Sequence, residues 1–271
     1  SAIKAGLFRA GGERLGFAWE PAPAPDARLG GFDAEAYVAA ALRALAGAVA
    51  DAPPRARRPV GISLAGQRAT VVPVDARGAA EGSAISWRSS ASKAAVERAL
   101  AAVGVEEFTR ITGLPPLPLL PVFKLLDEDG PLVGVRRGRL RLASLNDYLL
   151  ARLGARELVT DPSTGAATGL FDARRGRPSE ALLRVAGVRA ECLFAVASAT
   201  SNAGKLAPSA ARTVGLPAGT PLFVGGADQA CAALGGGASV GGSAVVSLGT
   251  AGTVLRPIAR FTVPSAGLFS L

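Results

Sequence analysis

Residues 221–237 read Pro-Leu-Phe-Val-Gly-Gly-Ala-Asp-Gln-Ala-Cys-Ala-Ala-Leu-Gly-Gly-Gly, and this stretch decides the fold. Its first four residues predict a buried strand, and the two glycines after them lead into a helix that begins near Asp228. A strand that turns directly into a helix is typical of α/β proteins. Because such a corner exposes one side chain to a cleft, the carboxylate of Asp228 is a candidate base.

A second segment with a glycine corner follows shortly afterwards. Ala244 to Leu248 predicts an apolar strand, residues 249–252 (Gly-Thr-Ala-Gly) predict a turn, and Thr253 to Leu255 predicts the returning strand. A turn of this kind can direct backbone N–H groups at a phosphate. Both segments also have a plainer explanation, because Asp is common at helix N-caps and Gly is common in hairpins.

The letters and spacing of the two segments together resemble the FGGY carbohydrate kinases, whose members carry Gly-Gly-x-Asp-Gln-x-x-x-Ala-Leu-Gly and then Ser-Leu-Gly-Thr-Ser-Gly. The resemblance implies that Asp228 is the general base for a sugar or polyol hydroxyl, and that Gln229 beside it binds the substrate. It also implies ATP and Mg²⁺ as cofactors, with no residue of this chain assigned as a metal ligand. The implied nucleotide phosphate-binding residues are Gly249, Thr250 and Gly252.

The resemblance extends over most of the chain and implies its fold. Family landmarks follow in order at residues 111–115, 124–126, 146–149 and 160–163. The implied fold class is α/β: an actin/hexokinase/sugar kinase-like (ribonuclease H-like) domain with a mixed sheet flanked by helices, plus the start of a second similar domain. We expect residues 1–235 to form the FGGY N-terminal, substrate-binding domain and residues 236–271 to begin a truncated C-terminal, ATP-binding domain.

The two ends of the chain also lead to an expectation. Family members open with Asp-x-Gly-Thr, and Ser1 to Gly6 resembles the residues just after that opening, while residues 261–264 resemble the early part of the second domain. The sequence has no Met and no His. We therefore expect a fragment that lacks the extreme N-terminus and most of the C-terminal domain, and that binds ATP weakly by itself.

Gln67 and Arg68 are candidate substrate-binding residues. They follow a predicted buried strand, Val60 to Leu64, and open α/β sheets place ligands at the carboxyl ends of their strands. Together they offer the several donors and the acceptor that a polyol needs. The pair resembles the Gln-Arg-Glu of glycerol kinases, with Ala69 in place of the acid. A polar pair on a surface turn is the alternative explanation.

Trp87 is the remaining candidate, either stacked on a sugar face or packed in the core. The family normally has an Asp and an Arg shortly after this Trp, but here those positions are Ser89 and Ala91. We expect phosphorylation of a small sugar or polyol, with a xylulose-like ketose favoured. The alternative is a catalytically weakened sugar-binding or regulatory relative.

The composition excludes several classes of protein. With 49% hydrophobic and 19% charged residues over 271 positions, the chain can fold around a sizeable core. The charge of +9 comes with few aromatics, so we expect a solvated basic surface and no nucleic-acid partner. No apolar run is long enough to predict a membrane span. Two cysteines without paired spacing predict a reduced, cytoplasmic protein. A homodimer is an expectation from the family alone.

Periodicity and turn residues predict the remaining elements. An N-terminal hairpin is expected, and then a helix from Asp33 whose packed face carries Tyr37, Ala41, Leu45 and Val49. Val71 to Val74 predicts another strand. Further helices are predicted at Lys93 to Val103, around Val122 to Asp127, Ser144 to Leu153 and Ser179 to Ala186.

Overall fold

The computed structural model describes residues 2–25, 30–248, 252–265 and 268–270. Its strands are β1 (Ala2–Phe8), β2 (Arg14–Pro21), β3 (Ile62–Gly66), β4 (Val71–Val74), β5 (Arg141–Ser144), β6 (Val159–Thr160), β7 (Phe171–Asp172), β8 (Arg177–Pro178), β9 (Ala195–Val196), β10 (Asn202–Lys205), β11 (Pro221–Ala227), β12 (Val245–Leu248) and β13 (Gly252–Leu255). Its helices are α1 (Ala34–Asp51), α2 (Lys93–Val103), α3 (Val105–Thr112), α4 (Pro121–Lys124), α5 (Val133–Arg136), α6 (Leu145–Leu153), α7 (Pro162–Ala166), α8 (Glu180–Ala186), α9 (Pro208–Val214) and α10 (Asp228–Gly235).

Three strands form a mixed sheet in the order β10-β11-β3. β11 pairs antiparallel with β10 and parallel with β3. Leu222 and Val224 of β11 are buried in one core with residues of α1, α6 and α9, including Leu150 and Val214. The predicted mixed sheet flanked by helices is therefore confirmed. The strand after Pro59 begins later than predicted, at Ile62, because Val60 is 92% exposed.

The predicted N-terminal hairpin is confirmed as the antiparallel pair β1 and β2. Helix α1 crosses the hairpin closely at Gly16, where an added Cβ would overlap the carbonyl oxygen of Ala48. Alanines on α1 face this contact, since Ala44 and Ala48 are almost fully buried. Small residues on both partners thus allow the helix backbone to approach the hairpin.

The packed face predicted for α1 is confirmed only at Val49, which is buried in the core, while the helix and its Asp33 cap are confirmed. The Oδ1 of Asp33 accepts hydrogen bonds from the backbone N–H groups of Glu35 and Ala36. The buried residues of α1 include the small Val38, Ala44 and Ala48. Tyr37, Ala41 and Leu45 are only half-buried and line a cavity. Because α1 packs Ala48 against the hairpin, these three predicted positions face the cavity instead.

A second core lies under β4 and helices α2, α3, α4 and α8. Phe108 and Phe123 are buried there, with ring centroids 5.3 Å apart. Helix α2 has the predicted bounds, and the helix predicted near Val122 is the shorter α4. Helix α3 was not predicted. It starts directly after Gly104, whose φ of +78° turns the chain between α2 and α3.

In the part of the chain that the structure describes, no helix combines the length and apolarity needed to cross a bilayer.

The first testable prediction concerns the N-cap of α6, which follows β5 directly. The Oγ of Ser144 accepts a hydrogen bond of 3.1 Å from the N–H of Asp147, and the N–H of Ser144 donates one of 2.8 Å to the Asp147 carboxylate. We expect Ser144→Ala to lower the free energy of unfolding by about 1 kcal/mol, because it leaves a buried N–H unpaired. Urea titration measures this change.

Ser179→Ala is the matched control for Ser144→Ala. Ser179 also precedes a helix and is also buried, but its side chain makes no capping hydrogen bond. The control should change the free energy of unfolding by less than about 0.5 kcal/mol. Equal losses in the two variants would show that the Ser144 cap contributes nothing specific.

The second prediction concerns the buried carboxyl of Asp147. Burial raises the pKa of Asp147 to about 6, against the opposing effect of the hydrogen bond from Ser144. Because the folded state holds this proton more tightly than the unfolded state does, stability is lost as the pH rises from about 4 to about 6. Asp147→Asn keeps an acceptor for the Ser144 N–H and removes the titration. Its stability relative to the unmodified chain should therefore rise over that pH interval. A constant difference between pH 4 and 7 would contradict this assignment.

Candidate active site

A cavity of about 1640 Å³ opens at the carboxyl ends of β3 and β11. It is lined by all five residues predicted to act on the substrate, which are Gln67, Arg68, Trp87, Asp228 and Gln229. These residues come from three separate parts of the chain. The predicted phosphate-binding residues are not found at this cavity. Gly252 does not line it, and Gly249 and Thr250 lie outside the described residues.

The register of the parallel strands explains why Gln67 and Asp228 meet. The last residue of β11, Ala227, pairs with the last residue of β3, Gly66. Both chains therefore leave the sheet side by side, and the next residue of each is a predicted site residue. Parallel strands place their carboxyl ends at one edge of the sheet, which is where such folds bind ligands.

Asp228 is the first residue of α10 and not its N-cap, which is Ala227. The Oδ1 of Asp228 accepts a hydrogen bond of 2.7 Å from the N–H of Gln229. Its Oδ2 has no hydrogen-bond partner among the residues that the structure describes. Since the side chain is also exposed to the cavity, this oxygen is available to a hydroxyl group of a bound molecule.

Arg68, Tyr37 and Cys231 lie within electrostatic reach of Asp228. Burial lowers the pKa of Arg68, and the Asp228 carboxylate opposes that shift. Burial raises the pKa of Tyr37, and Asp228 raises it further. Tyr37 therefore stays a neutral phenol, and its ring stacks on Phe32 with centroids 5.3 Å apart. Helical periodicity assigns Tyr37 to the core, so its position near Asp228 was not predicted. It stands out only as the one aromatic residue of α1.

Cys231 lies one helical turn beyond Asp228. Burial raises the pKa of its thiol, and the carboxylates of Asp161 and Asp228 raise it further. A raised pKa keeps the thiol protonated and makes it a poor nucleophile. Cys231 is therefore a packing residue of this corner.

The segment that carries Trp87 is held from two sides. The N–H of Trp87 donates to Oγ1 of Thr70 at 3.2 Å, and the buried Nζ of Lys124 donates to the carbonyl of Ser86 at 2.8 Å. Burial lowers the pKa of Lys124 to about 8. The indole is 43% exposed, and the Arg88 guanidinium lies 5.6 Å from its centroid. Trp87 is therefore presented to the cavity by fixed backbone rather than packed in the core.

The segment after Trp87 is uncharged at the two positions where the family pattern has charges. Ser89 turns back on its own segment, since its Oγ donates to the Ser86 carbonyl at 2.8 Å. Ala91 is buried in the second core. Leu117 and Leu119 line the cavity on this side. Neither of the two substituted positions supplies a charge to a bound molecule.

Among the described residues, no three His, Cys, Asp or Glu side chains are grouped closely enough to hold a metal ion. The donor set around Asp228 consists of a single carboxylate, a phenol and amide or guanidinium groups. These residues by themselves do not fit a Mg²⁺ site.

Comparison with solved structures defines the class of fold. The xylulose kinase from Rhodospirillum rubrum matches with a TM-score of 0.88 and 25% identity, over 97% of this chain and 54% of that chain. The gluconate kinase from Lactobacillus acidophilus matches with a TM-score of 0.84 and 20% identity, over 94% and 51%. The fold is that of the actin/hexokinase-like sugar kinases, and this chain spans about half of such proteins.

The sequence comparisons then identify the family. Residues 24–235 match the FGGY family of carbohydrate kinases, N-terminal domain, and the chain belongs to this family. The autoinducer-2 kinase of Klebsiella pneumoniae is 37% identical over 118 residues, which are 43% of this chain and 22% of the relative. That of Escherichia coli K12 is 38% identical over 94 residues, which are 35% and 18%.

The third prediction tests the close packing at the end of β3. A Cβ on Gly66 would overlap the Oδ1 of Asn146, a buried side chain of α6. Gly66→Ala should therefore force Asn146 out of place and lower the free energy of unfolding by about 1–3 kcal/mol. Urea or thermal unfolding measures the loss.

Gly11→Ala is the control for this packing test. A Cβ at Gly11 meets nothing within 4 Å, and Gly11 is not among the glycines with positive φ. Its free energy of unfolding should change by less than about 0.5 kcal/mol. If the two variants were equally stable, Gly66 would not be needed for the approach of α6.

Proposed function

We propose that the full-length protein containing this chain transfers the γ-phosphoryl group of ATP to a hydroxyl of a small sugar or polyol. The observation that carries the proposal is the single cavity that collects Gln67, Arg68, Trp87, Asp228 and Gln229. Membership of a carbohydrate kinase family supports the reaction class. A cytoplasmic location is part of the same proposal, because ATP is supplied there.

Asp228 would act as the general base. Its free Oδ2 accepts the proton of the substrate hydroxyl while that oxygen attacks the γ-phosphorus, and the bond between the γ-phosphorus and the bridging oxygen breaks to release ADP. The Gln229 N–H bond to Oδ1 orients the carboxylate. Mg²⁺ supplies charge neutralisation on the phosphates in this chemistry.

Gln67, Arg68 and Gln229 would bind the other hydroxyls of the substrate. Two amides and a guanidinium provide many donors and two acceptors, which suits a polyol and gives it a fixed orientation toward Asp228. Trp87 would cover an apolar face of the substrate. With Leu119 nearby, this side of the cavity favours carbon-bound hydrogens over charged groups.

A neutral, xylulose-like ketose is the substrate that we propose. The likeness to xylulose kinase supports it. So does the lack of a charged side chain at Ser89 and Ala91, since neither position offers a cation to a sugar acid. The same two substitutions favour the alternative, a catalytically weakened sugar-binding relative, if no sugar is turned over.

The division of the chain belongs to this proposal as well. Residues 1–235 would form the substrate-binding domain, and residues 236–271 would begin the ATP-binding domain. The hairpin of β12 and β13 supports the second part, since Leu248 pairs with Gly252 across the turn. The phosphates of ATP would lie against this turn, at Gly249, Thr250 and Gly252.

The fourth prediction tests the base in the full-length protein. Asp228→Asn should lower kcat by about 10²–10⁴-fold and change KM for the sugar little, because the amide keeps the shape and cannot accept the proton. ADP release over xylulose, gluconate, glycerol and autoinducer-2 measures it.

Asp129→Asn is the control, since Asp129 is exposed and does not line the cavity. It should retain the unmodified activity. Turnover that survives in Asp228→Asn would remove Asp228 as the base. Sugar binding without turnover in the unmodified protein would favour the weakened relative.

A further inference from the structure

One peptide group lies between the sheet and the candidate base. It joins Gly226 to Ala227, the last two residues of β11, and Asp228 follows it directly. Side chains from two different helices hold this group, one at its carbonyl oxygen and one at its N–H. Neither side chain has a role in the reaction proposed for this site.

Ser163 of α7 holds the N–H side. Its Oγ accepts a hydrogen bond of 3.0 Å from the N–H of Ala227 and donates one of 2.5 Å to the Oδ2 of Asp161. Asp161 is itself fixed, because its carboxylate accepts from the N–H groups of Ser163 and Thr164. With its hydrogen committed to Asp161, the Ser163 hydroxyl can only accept from Ala227.

Asn146 of α6 holds the carbonyl side. Its Nδ2 donates a hydrogen bond of 3.3 Å to the carbonyl oxygen of Gly226. The side chain is only 8% exposed, and its Oδ1 packs against Gly66 at the end of β3. Asn146 therefore has little freedom to move away from the peptide.

The strand ladder reaches this peptide only after an irregularity. The register between β11 and β3 shifts between Phe223 and Gly226. Gly225, inside the shift, has a φ of +75°, and a Cβ there would overlap the carbonyl oxygen of Leu64. Such an irregularity bends a strand and interrupts its ladder. The ladder resumes only at the last two pairs of β11, Gly226 with Ala65 and Ala227 with Gly66. The two side-chain hydrogen bonds therefore add to a short end of the ladder.

We propose that Ser163 and Asn146 are positioning residues, which clamp the Gly226–Ala227 peptide and thereby aim the Asp228 carboxylate at the substrate hydroxyl. This inference rests on the proposed function. The clamp acts through backbone, since the peptide plane sets the direction in which α10 starts and Asp228 is its first residue. A displacement of about 1 Å at a reacting group can cost about 100-fold in rate.

Kinetics of Ser163→Ala in the full-length protein give the first test. The variant loses the acceptor for Ala227 and keeps both backbone hydrogen bonds to Asp161. We expect kcat to fall by about 10- to 100-fold with KM for the sugar nearly unchanged. Ser163→Thr keeps a hydroxyl and should restore most of kcat.

Thr164→Val is the matched control. Thr164 is the next residue of α7, is 2% exposed, and has an Oγ1 without a hydrogen-bond partner in the described parts of the chain. Its kcat should match that of the unmodified protein. A similar fall in both variants, or none in Ser163→Ala, would overturn the clamp.

A double-mutant cycle tests whether both residues hold the same peptide. Once one side is free, losing the other should matter less, so the combined effect of Ser163→Ala and Asn146→Ala on kcat should be smaller than the product of the single effects. Effects that multiply fully would show two independent roles and contradict the proposal.

Amide hydrogen exchange separates the clamp from the reaction. Exchange of the Ala227 N–H should be faster by about tenfold in Ser163→Ala and unchanged in Thr164→Val. If the unmodified protein phosphorylates no sugar, the proposed function fails, and this measurement still decides whether the clamp exists. Unchanged Ala227 exchange in a folded Ser163→Ala variant would rule the clamp out.

Discussion

The parallel contact between β3 and β11 is the constraint on which the candidate site depends. Gly225 lies against the carbonyl of Leu64, and Gly66 lies against the Asn146 side chain, so neither position has space for a Cβ. Glycine at both positions lets the two strands and α6 approach closely. Because the strands end in register, Gln67 and Asp228 emerge next to each other. The rest of the cavity is arranged around this pair.

Few charged side chains lie near Asp228, and they differ in how deeply they are buried. Arg68 is half-buried and attracted by Asp228, whereas Asp228 itself is exposed. An electrostatic attraction between side chains of this exposure adds little to stability, about 1 kcal/mol or less, so its use is in orienting a bound molecule. Lys124 is 4% exposed and holds the Ser86 carbonyl rather than facing the cavity. Arg68 and Asp228 thus face the cavity, whereas Lys124 fixes the backbone at Ser86.

The family match, the fold match and the cavity each support a different conclusion about this chain. The match over residues 24–235 establishes the family, and the sugar kinase structures establish the fold. Neither assigns a role to a particular side chain. The cavity adds that five predicted residues lie together, although they come from three separate segments. Where the chain departs from the family pattern, the Ser89 hydroxyl donates to the Ser86 carbonyl and Ala91 is buried in the second core.

Local patterns in the sequence determined the hairpin of β1 and β2, helices α2, α6 and α8, and the corner from β11 into α10. In each of these, caps, turns and periodicity act between near neighbours, so the sequence is sufficient. Tertiary structure decided the packed face of α1, because the helix packs Ala48 against the hairpin. It also decided the neighbours of Asp228. Tyr37, Asn146 and Ser163 reach this corner from distant positions, and only the packing of α1, α6 and α7 around β11 brings them together.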